Sequence, residues 1–488
     1  MHMSKSVFVA VLAGLLITGC AMVGPDYEQP KVAMPSKWRF SDSEARETVN
    51  TLWWKEFNDP MLDRLIERAV RNNLDLQKAI AAVEKFMGAY GSTRANLFPQ
   101  IYGTASYSRL NNGMNQLGGN LPGGLSSSSG DINYARLGAT MEWEIDLWGQ
   151  LRRAREAARA DLLAQEAYRR TVLLTVVSQV AITYVTLREL DCDLEITRNI
   201  MKTLESELRI ARSRFREGYS SELEVNQVES EYIRRAAYIP QYEQSIAETE
   251  HALKILLGEN PGPVPRGRTL DELHPLTVPA GLPSDVLARR PDILQAEQEL
   301  VASNALIGVA RGEYFPKILL TGDVGQTTSQ LSMLFTPGAN FWSAGSSLLL
   351  PILTAGKIAG HVQSAEAVQR SAVANYQLSI LTAFKEFEDA LVGHTKTREQ
   401  RELQSARVKS AEKYFRLSKL QYDEGYTDYI TVLDSLRQSF DAQIELANVK
   451  SSNIAAAIKL YRAMGGGWVA QAESNGHVPE PREAAMFP

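Results

Sequence analysis

One residue of this 488-residue chain sits in a sequence built for covalent chemistry. Cys20 follows Ile17-Thr18-Gly19, and Lys5 leads an apolar run from Val7 to Ile17. A positive residue, a short apolar core and small residues at the cut describe a secretory signal. The run is far short of the roughly 20 residues a helix needs to cross a bilayer. A Cys at this place matches the bacterial lipobox, where the thiol takes diacylglycerol and becomes the new N-terminus once residues 1–19 are removed. Acyl chains there tether a chain to a membrane, at about 0.8 kcal/mol per buried methylene. Ala21 in place of Asp favours the outer membrane by the usual sorting rule.

The other reactive residues lack the company that catalysis requires. Ala355-Gly356-Lys357-Ile358 is missing the leading Gly and the hydroxyl residue of a phosphate loop. The six histidines include no pair at metal spacing, and Cys192 has no His nearby in sequence. Gly123-Gly124 with Ser126 to Ser129 is loop composition, not a nucleophile elbow. No catalytic, metal-binding or cofactor-binding residue is expected, and the chain reads as a non-enzyme.

Composition narrows the partners. Net charge is −5 with no basic stretch, which argues against nucleic acid. No apolar run after residue 20 is long enough for a transmembrane helix. A membrane-spanning chain without such helices must use strands, because only helices and closed barrels satisfy every backbone group in lipid.

The elements repeat. Glu217-Gly218-Tyr219 recurs as Glu424-Gly425-Tyr426, an offset of 424 − 217 = 207. The same offset carries Gly149 onto Gly356 and Leu257-Gly258 onto Met464-Gly465. Upstream, Phe98-Pro99 matches Phe315-Pro316 at 315 − 98 = 217. Each half therefore follows one plan, and the first holds ten extra residues (217 − 207) between Pro99 and Gly149.

In each copy a strand pair comes first. From Ala135 to Leu147 apolar residues alternate with Arg136, Gly138, Thr140, Glu142, Glu144 and Asp146, which gives one apolar and one polar face. Gln100 to Arg109 is its partner across a Gly- and Ser-rich loop, Asn111 to Asp131. The second copy supplies Lys317 to Gln326 and Phe341 to Leu350. Glu142, Glu144 and Asp146 on one face suit a wet lumen. Two soluble hairpins capping a helical protein remain the alternative. Four strands cannot close a bacterial barrel, whose smallest number is about eight, so copies must pool them. Two copies or three would serve equally well by this count.

Long helices follow. From Leu173 through Val176, Val180, Thr183, Leu187, Leu190, Leu194 and on to Phe215, seam positions at three- and four-residue steps are nearly all apolar, as in a coiled coil. Starting near Gly149, this helix would reach roughly 100 Å at about 1.5 Å per residue. The chain turns at Glu217-Gly218-Tyr219 and returns through a helix that Pro240 must kink or split. The second hairpin runs from Gly356 to Tyr422 and back from Asp428 to Met464. Its seam carries His394, Thr397, Arg401 and Gln404, which reads as a wetter packing surface. Gly258 to Ser284 is a Pro- and Gly-rich linker, and 465–488 is a polar tail.

The chain resembles the outer membrane efflux proteins, the TolC-like exit ducts, and within them the NodT-type lipoprotein branch. The residues that carry the likeness are Cys20 with Val23-Gly24-Pro25-Asp26-Tyr27, then Trp53-Trp54, Phe57, Asp59-Pro60 and Leu62. Asn73-Leu74-Asp75-Leu76, Arg290-Pro291-Asp292-Ile293 and the two Phe-Pro strand starts continue it through residues 24–467. The order and spacing are specific although each motif is weak alone.

The resemblance implies a mainly α fold with a membrane β-barrel. A homotrimer would give twelve strands, four per chain, continued by a long coiled-coil α-barrel and girdled by a mixed equatorial domain. The plan is then a signal peptide at 1–19, an anchor and first helix at 20–98, a β-hairpin at 99–148 and a helical hairpin at 149–257. The linker lies at 258–284, the second copy's first helix at 285–315, its β-hairpin at 316–351, its helical hairpin at 356–464 and the tail at 465–488. The partners implied are a periplasmic adaptor (membrane fusion) protein, an inner-membrane transporter of RND type and outer membrane lipid. The chain would be lipid-anchored, span the outer membrane as a barrel and extend into the periplasm. Asp434 matches an acidic ring at the periplasmic gate, with Thr431 where some members hold a second Asp. Tyr422 matches a turn residue that keeps the mouth closed. The turns with Arg216, Glu217, Gly218 and Tyr219, and with Glu424, Gly425 and Tyr426, would meet the adaptor. An exit duct for type I protein secretion shares the fold and is the second reading; a structural envelope lipoprotein is the third.

Overall fold

The computed structural model describes residues 22–30, 52–111, 131–273, 276 and 290–465. Cys20, the interior of the first strand loop, most of the second half of the linker and nearly all of the tail lie outside these residues. In chain order the principal elements are α1 (Pro60–Asn72), α2 (Leu74–Ala95), β1 (Gln100–Asn111), β2 (Asp131–Ile145), α3 (Gln150–Arg216), α4 (Glu222–Ala236) and α5 (Tyr238–Leu256). They are followed by α6 (Pro291–Gly312), β3 (Lys317–Thr328), β4 (Asn340–Leu349), α7 (Lys357–Asp423) and α8 (Tyr429–Ala463). Both α3 and α7 are 67 residues long, and they start 357 − 150 = 207 residues apart. The duplication inferred from tripeptides is thus a duplication of whole elements.

The chain divides into two compact units, one of 1–30, 85–163 and 298–374, the other of 31–84, 164–297 and 375–488. The first holds a single antiparallel sheet in the order β1-β2-β3-β4. Its register is continuous, with Ser106 opposite Arg136, Thr140 opposite Asp323 and Asp323 opposite Ser343. Because side chains alternate, Gln100, Tyr102, Thr104, Arg136, Glu142, Thr321, Asp323 and Ser343 share one face. Ile101, Leu137, Met141, Leu320, Val324, Trp342 and Leu348 share the other. That second face is apolar yet open: Trp342 is 79% exposed and Ile101 71%. In β1 and β4 one side of the strand is left without a ladder partner. A sheet with an uncovered apolar face and two free edges is incomplete as a soluble fold.

In the same unit, the segment 22–30 is clasped by helix side chains. Arg153 donates to Val23 O (3.3 Å), to Gly24 O (3.4 Å) and to the Asp26 carboxylate (2.6 Å), while Asn304 Nδ2 donates to Pro25 O (3.0 Å). Gly24 and Gly308 touch so closely that a Cβ on Gly24 would lie 2.5 Å from Gly308 Cα. The Val-Gly-Pro-Asp stretch is therefore a packing device.

The second unit is built on the seam of α3. Leu173, Val176, Val177, Val180, Tyr184 and Leu187 pack with Trp53, Phe57, Leu62, Leu65, Leu253, Leu257 and Ile458 in one buried cluster. By length and composition an 18-residue window of α3 could cross a membrane, which corrects the expectation that no such helix exists. Its apolar side chains face this core instead. Asp59 is fully buried, capping α1 through Met61 N (2.8 Å) and accepting from Tyr184 OH (2.6 Å) and Arg268 N (3.0 Å). Trp53 stacks on Tyr461 with centroids 5.7 Å apart.

The return helix of the first copy breaks at Ala237, three residues before Pro240, whereas α8 of the second copy runs unbroken for 35 residues. In the duplicated frame Ala447 stands where Pro240 does. Proline's missing N–H and its ring's clash with the preceding turn explain the break. The polar stretch of the second seam is a packing surface with its own hydrogen bonds. His394 and Gln404 are buried, and Asn453 Nδ2 donates to His394 O (3.2 Å) and Thr397 Oγ1 (3.0 Å). Gln404 Nε2 donates to Ala442 O (3.0 Å). Amide side chains of α7 and α8 find each other, while Thr397 and Arg401 stay half-buried at the edge of the packing surface.

Candidate channel mouth and sheet lining

Within the second unit, both helical hairpins end in the same turn. Gly218 has φ +77° and Gly425 φ +79°, the left-handed geometry that favours glycine. Tyr219 N donates back to Arg214 O and Tyr426 N to Gln421 O, each at 2.8 Å. This six-to-one bond closes the helix end and pushes the following tyrosine outward: Tyr219 is 79% and Tyr426 83% exposed. Beyond the turn, Ser221 Oγ caps α4 by accepting from Glu224 N (3.3 Å). Each turn thus offers an exposed aromatic, with Arg216 and Glu217 beside one and Glu424 beside the other.

Immediately above the turns, Leu204, Leu208, Val225 and Val228 of the first hairpin pack with Tyr429, Val432, Leu433 and Leu436 of the second. Tyr422 sits at the edge of this cluster. Its ring meets Tyr429 edge-on at 5.0 Å and lies under the Arg214 guanidinium at 5.2 Å. Its hydroxyl donates to the Glu224 carboxylate. Burial, then the Glu224 charge, pushes the Tyr422 phenol up to about 12. Arg214 also reaches Asp423 at 3.9 Å, and Lys419 pairs with Glu207. One residue of the second hairpin therefore holds two residues of the first.

Asp434 lies on α8 between buried neighbours, Val432 and Leu433 on one side and Ser435 and Leu436 on the other, yet is itself exposed. Its carboxylate accepts from Gln438 Nε2 at 2.7 Å. Thr431, one turn earlier, bonds Thr427 Oγ1 at 3.2 Å. The carboxylate points away from the packing core of its own chain.

Sequence reasoning missed a buried ionic hub between α4 and α8. Glu231, 2% exposed, accepts from Arg234 (2.8 Å), Arg235 (2.8 Å) and Arg437 (2.7 Å). Arg235 goes on to Asp441 (3.2 Å) and lies 4.0 Å over the Phe440 ring. Burial works to raise the Glu231 carboxyl, but three guanidinium hydrogen bonds outweigh it and hold the group below its usual range. Charged residues four apart on the buried side of a helix, Glu231 and Arg235, were the available signal.

In the first unit, Glu142 is exposed on the polar face of β2, and Glu144 stands 3.7 Å from Lys317 Nζ. Asp146 is a correction. β2 ends at Ile145, and the Asp146 carboxylate accepts from Leu151 N (3.1 Å), Arg152 N (2.9 Å) and Arg152 Nε (3.1 Å). Alternation placed it on the strand, but free N–H groups at the start of α3 capture a carboxylate more strongly than water does. Among the described residues no cluster of three or more His, Cys, Asp or Glu could hold a metal ion.

The comparisons with known proteins agree with this architecture. The profile of the family described as "Outer membrane efflux protein" matches residues 65–259 and again 282–466. The two matches start 282 − 65 = 217 and end 466 − 259 = 207 residues apart, the same two offsets the sequence repeats. The chain is 35% identical over 469 residues to the solvent efflux pump outer membrane protein SrpC of Pseudomonas putida, covering 94% of this chain and 97% of that one. It is 30% identical over 472 residues to the probable outer membrane lipoprotein SilC of Salmonella typhimurium, covering 96% and 100%. The solved CmeC outer membrane channel of Campylobacter jejuni superposes with a TM-score of 0.85 at 25% identity, over 94% and 98% of the two chains. The chain belongs to the outer membrane efflux protein family.

Proposed function

We propose that the chain is the exit-duct subunit of a tripartite efflux system, passively conducting drugs, solvents or other small toxic solutes from the periplasm to the outside. The observation that carries this is the sheet. Its apolar face and both edges are uncovered, while its polar face carries carboxylates, as a barrel wall between lipid and water requires. Three chains would contribute twelve strands, and the paired 67-residue helices would continue the duct into the periplasm. The exposed Tyr219 and Tyr426 turns offer a periplasmic adaptor two equivalent contact points per chain, and an RND transporter would supply the energy. Nothing in the chain is asked to do chemistry beyond the acylation of Cys20. The name of SrpC supports organic solvents as one cargo class.

In this reading Tyr422 holds the mouth and Asp434 lines it. Purified protein in planar bilayers should conduct, and its removal from the host should raise sensitivity to toxic solutes together with loss of the adaptor. A non-conducting trimer would favour a structural lipoprotein, and unchanged solute tolerance with loss of a secreted protein would favour the secretion duct. If three Asp434 carboxylates face one another, Asp434→Ala should weaken cation preference and block by multivalent cations. Wild-type block in that variant returns Asp434 to an ordinary solvated carboxylate.

A further inference from the structure

Five charged side chains share the polar face of the sheet: Arg136, Glu142 and Glu144 on β2, and Lys317 and Asp323 on β3. Arg136 Nη2 meets Asp323 Oδ1 at 2.6 Å, and Lys317 Nζ lies 3.7 Å from Glu144. Glu142 has no ion-pair partner among the described residues.

The Arg136–Asp323 bridge has an unusual floor. Arg136 stands opposite Thr327, four residues and roughly 13 Å along the strand from Asp323, so the two side chains must lean toward each other along the sheet to meet. Between the two rows lies the pair Gly138–Gly325. The strands approach so closely there that a Cβ on Gly138 would sit 2.4 Å from Val324 O, and one on Gly325 2.3 Å from Leu137 O. No side chain can stand at either glycine, and the guanidinium lies down across the pair. Phe341, opposite Gly325, covers it from β4 with its ring 4.8 Å from the guanidinium carbon. Asp323 is tied down as well, accepting from Thr140 (2.8 Å) and Ser343 (3.2 Å). A long cation is thereby pressed against the wall and cancelled by a carboxylate that three strands hold.

We propose that Arg136 and Asp323 form a folded-down, charge-cancelling pair that keeps the barrel lumen clear and leaves Glu142 as the net charge of the barrel wall, where it adds to the duct's preference for cations. The proposal rests on the reading of the polar face as the lumen. Four of the five charges cancel in two pairs, so each chain contributes one net negative charge, that of Glu142, to this face. Freeing Arg136 would add a mobile cation to the bore and oppose Glu142. Freeing Asp323 would add a second negative charge beside it.

Single-channel recording of the full chain under a KCl gradient tests this, because only inserted, assembled protein is read. Asp323→Asn should lower conductance and shift the reversal potential toward the chloride value. Arg136→Gln should shift it toward the potassium value, Glu142→Gln toward chloride, and the double variant Arg136→Gln with Asp323→Asn should return to the wild-type potential. Wild-type potentials in both Asp323→Asn and Arg136→Gln would overturn the proposal while leaving the duct intact. If Asp323→Asn fails to insert, an unshifted Arg136→Gln overturns it alone. Absence of conductance in the wild type would overturn the duct reading and this proposal with it.

Discussion

At the scale of single residues, the mouth and the helix core make different demands on a hydrogen bond. Tyr422 spends its hydroxyl on Glu224 across two hairpins. Removing the hydroxyl leaves both partners near water, so the fold should survive while the contact is lost. Tyr422→Phe should therefore raise the open fraction of channels in bilayer recordings, with an unchanged yield of assembled protein. The phenol's raised value means the protonated form is favoured in the folded state. Its contribution is full below the ordinary tyrosine value near 10 and is lost only as pH rises through about 12. Asp193 shifts in the same direction but within the physiological range. It is buried on α3, its Oδ1 has no partner, and burial followed by the Glu189 charge pushes it to about 7. A carboxyl raised in the fold favours folding at low pH and penalises it as pH climbs through that value. Asp193→Asn should thus stabilise the protein at pH 8, on the order of 3 kcal/mol, and change little near pH 4. Thermal unfolding at the two pH values checks this, and an equal effect at both would refute it. Tyr422 was singled out by the resemblance, but the Asp193 site was not legible in the sequence. Whether Asp193 faces water or lies near Tyr242 depends on a helix more than forty residues away in the chain, and seam counting marks apolar positions only.

At the scale of elements, much more was legible. Alternation located the two strands of the first copy, because one face is apolar and the other polar and a one-residue slip would exchange them, and the duplication carried the strand pair into the second copy. Glycines at left-handed positions fixed the hairpin turns, and Pro240 fixed the break between α4 and α5. The pairing of hairpins was not legible, and the Glu231 hub shows why. Glu231 and Arg437 are 206 residues apart, and their charges look like solvated helix faces until α4 and α8 are laid together. Such a hub costs desolvation, which its hydrogen bonds offset only while complete. Glu231→Ala would leave Arg234 and Arg437 without this carboxylate and Arg235 with Asp441 alone, and should destabilise the hairpin pair by about 3–5 kcal/mol. Because the Glu231 carboxyl is held low, its contribution is present above the ordinary glutamate value and fades as pH falls through the lower folded value. Limited proteolysis should then cut Glu231→Ala near Ala237, where the helix is already broken. Protection equal to the wild type would mean the hub is dispensable.

At the scale of the whole molecule, the duplication leaves one number open that the chain must settle by association. Four strands with two free edges are half of the smallest bacterial barrel and a third of a twelve-stranded one. Strand alternation cannot choose, since it is the same in either. The bore weighs on the choice. Two chains would give an eight-stranded bore that side chains alone fill; three would give a twelve-stranded bore with room for solute. A duct that conducts therefore needs the larger ring. Chemical crosslinking of the detergent-solubilised protein should give a ladder that ends at three chains, and native mass spectrometry should give the same stoichiometry. A ladder ending at two would leave a barrel too narrow to pass solutes and would remove the channel from this account. The free edges also predict what happens below assembly: an isolated chain exposes two unpaired strands and an apolar face, so unassembled protein should aggregate in the absence of detergent or lipid rather than persist as a soluble monomer.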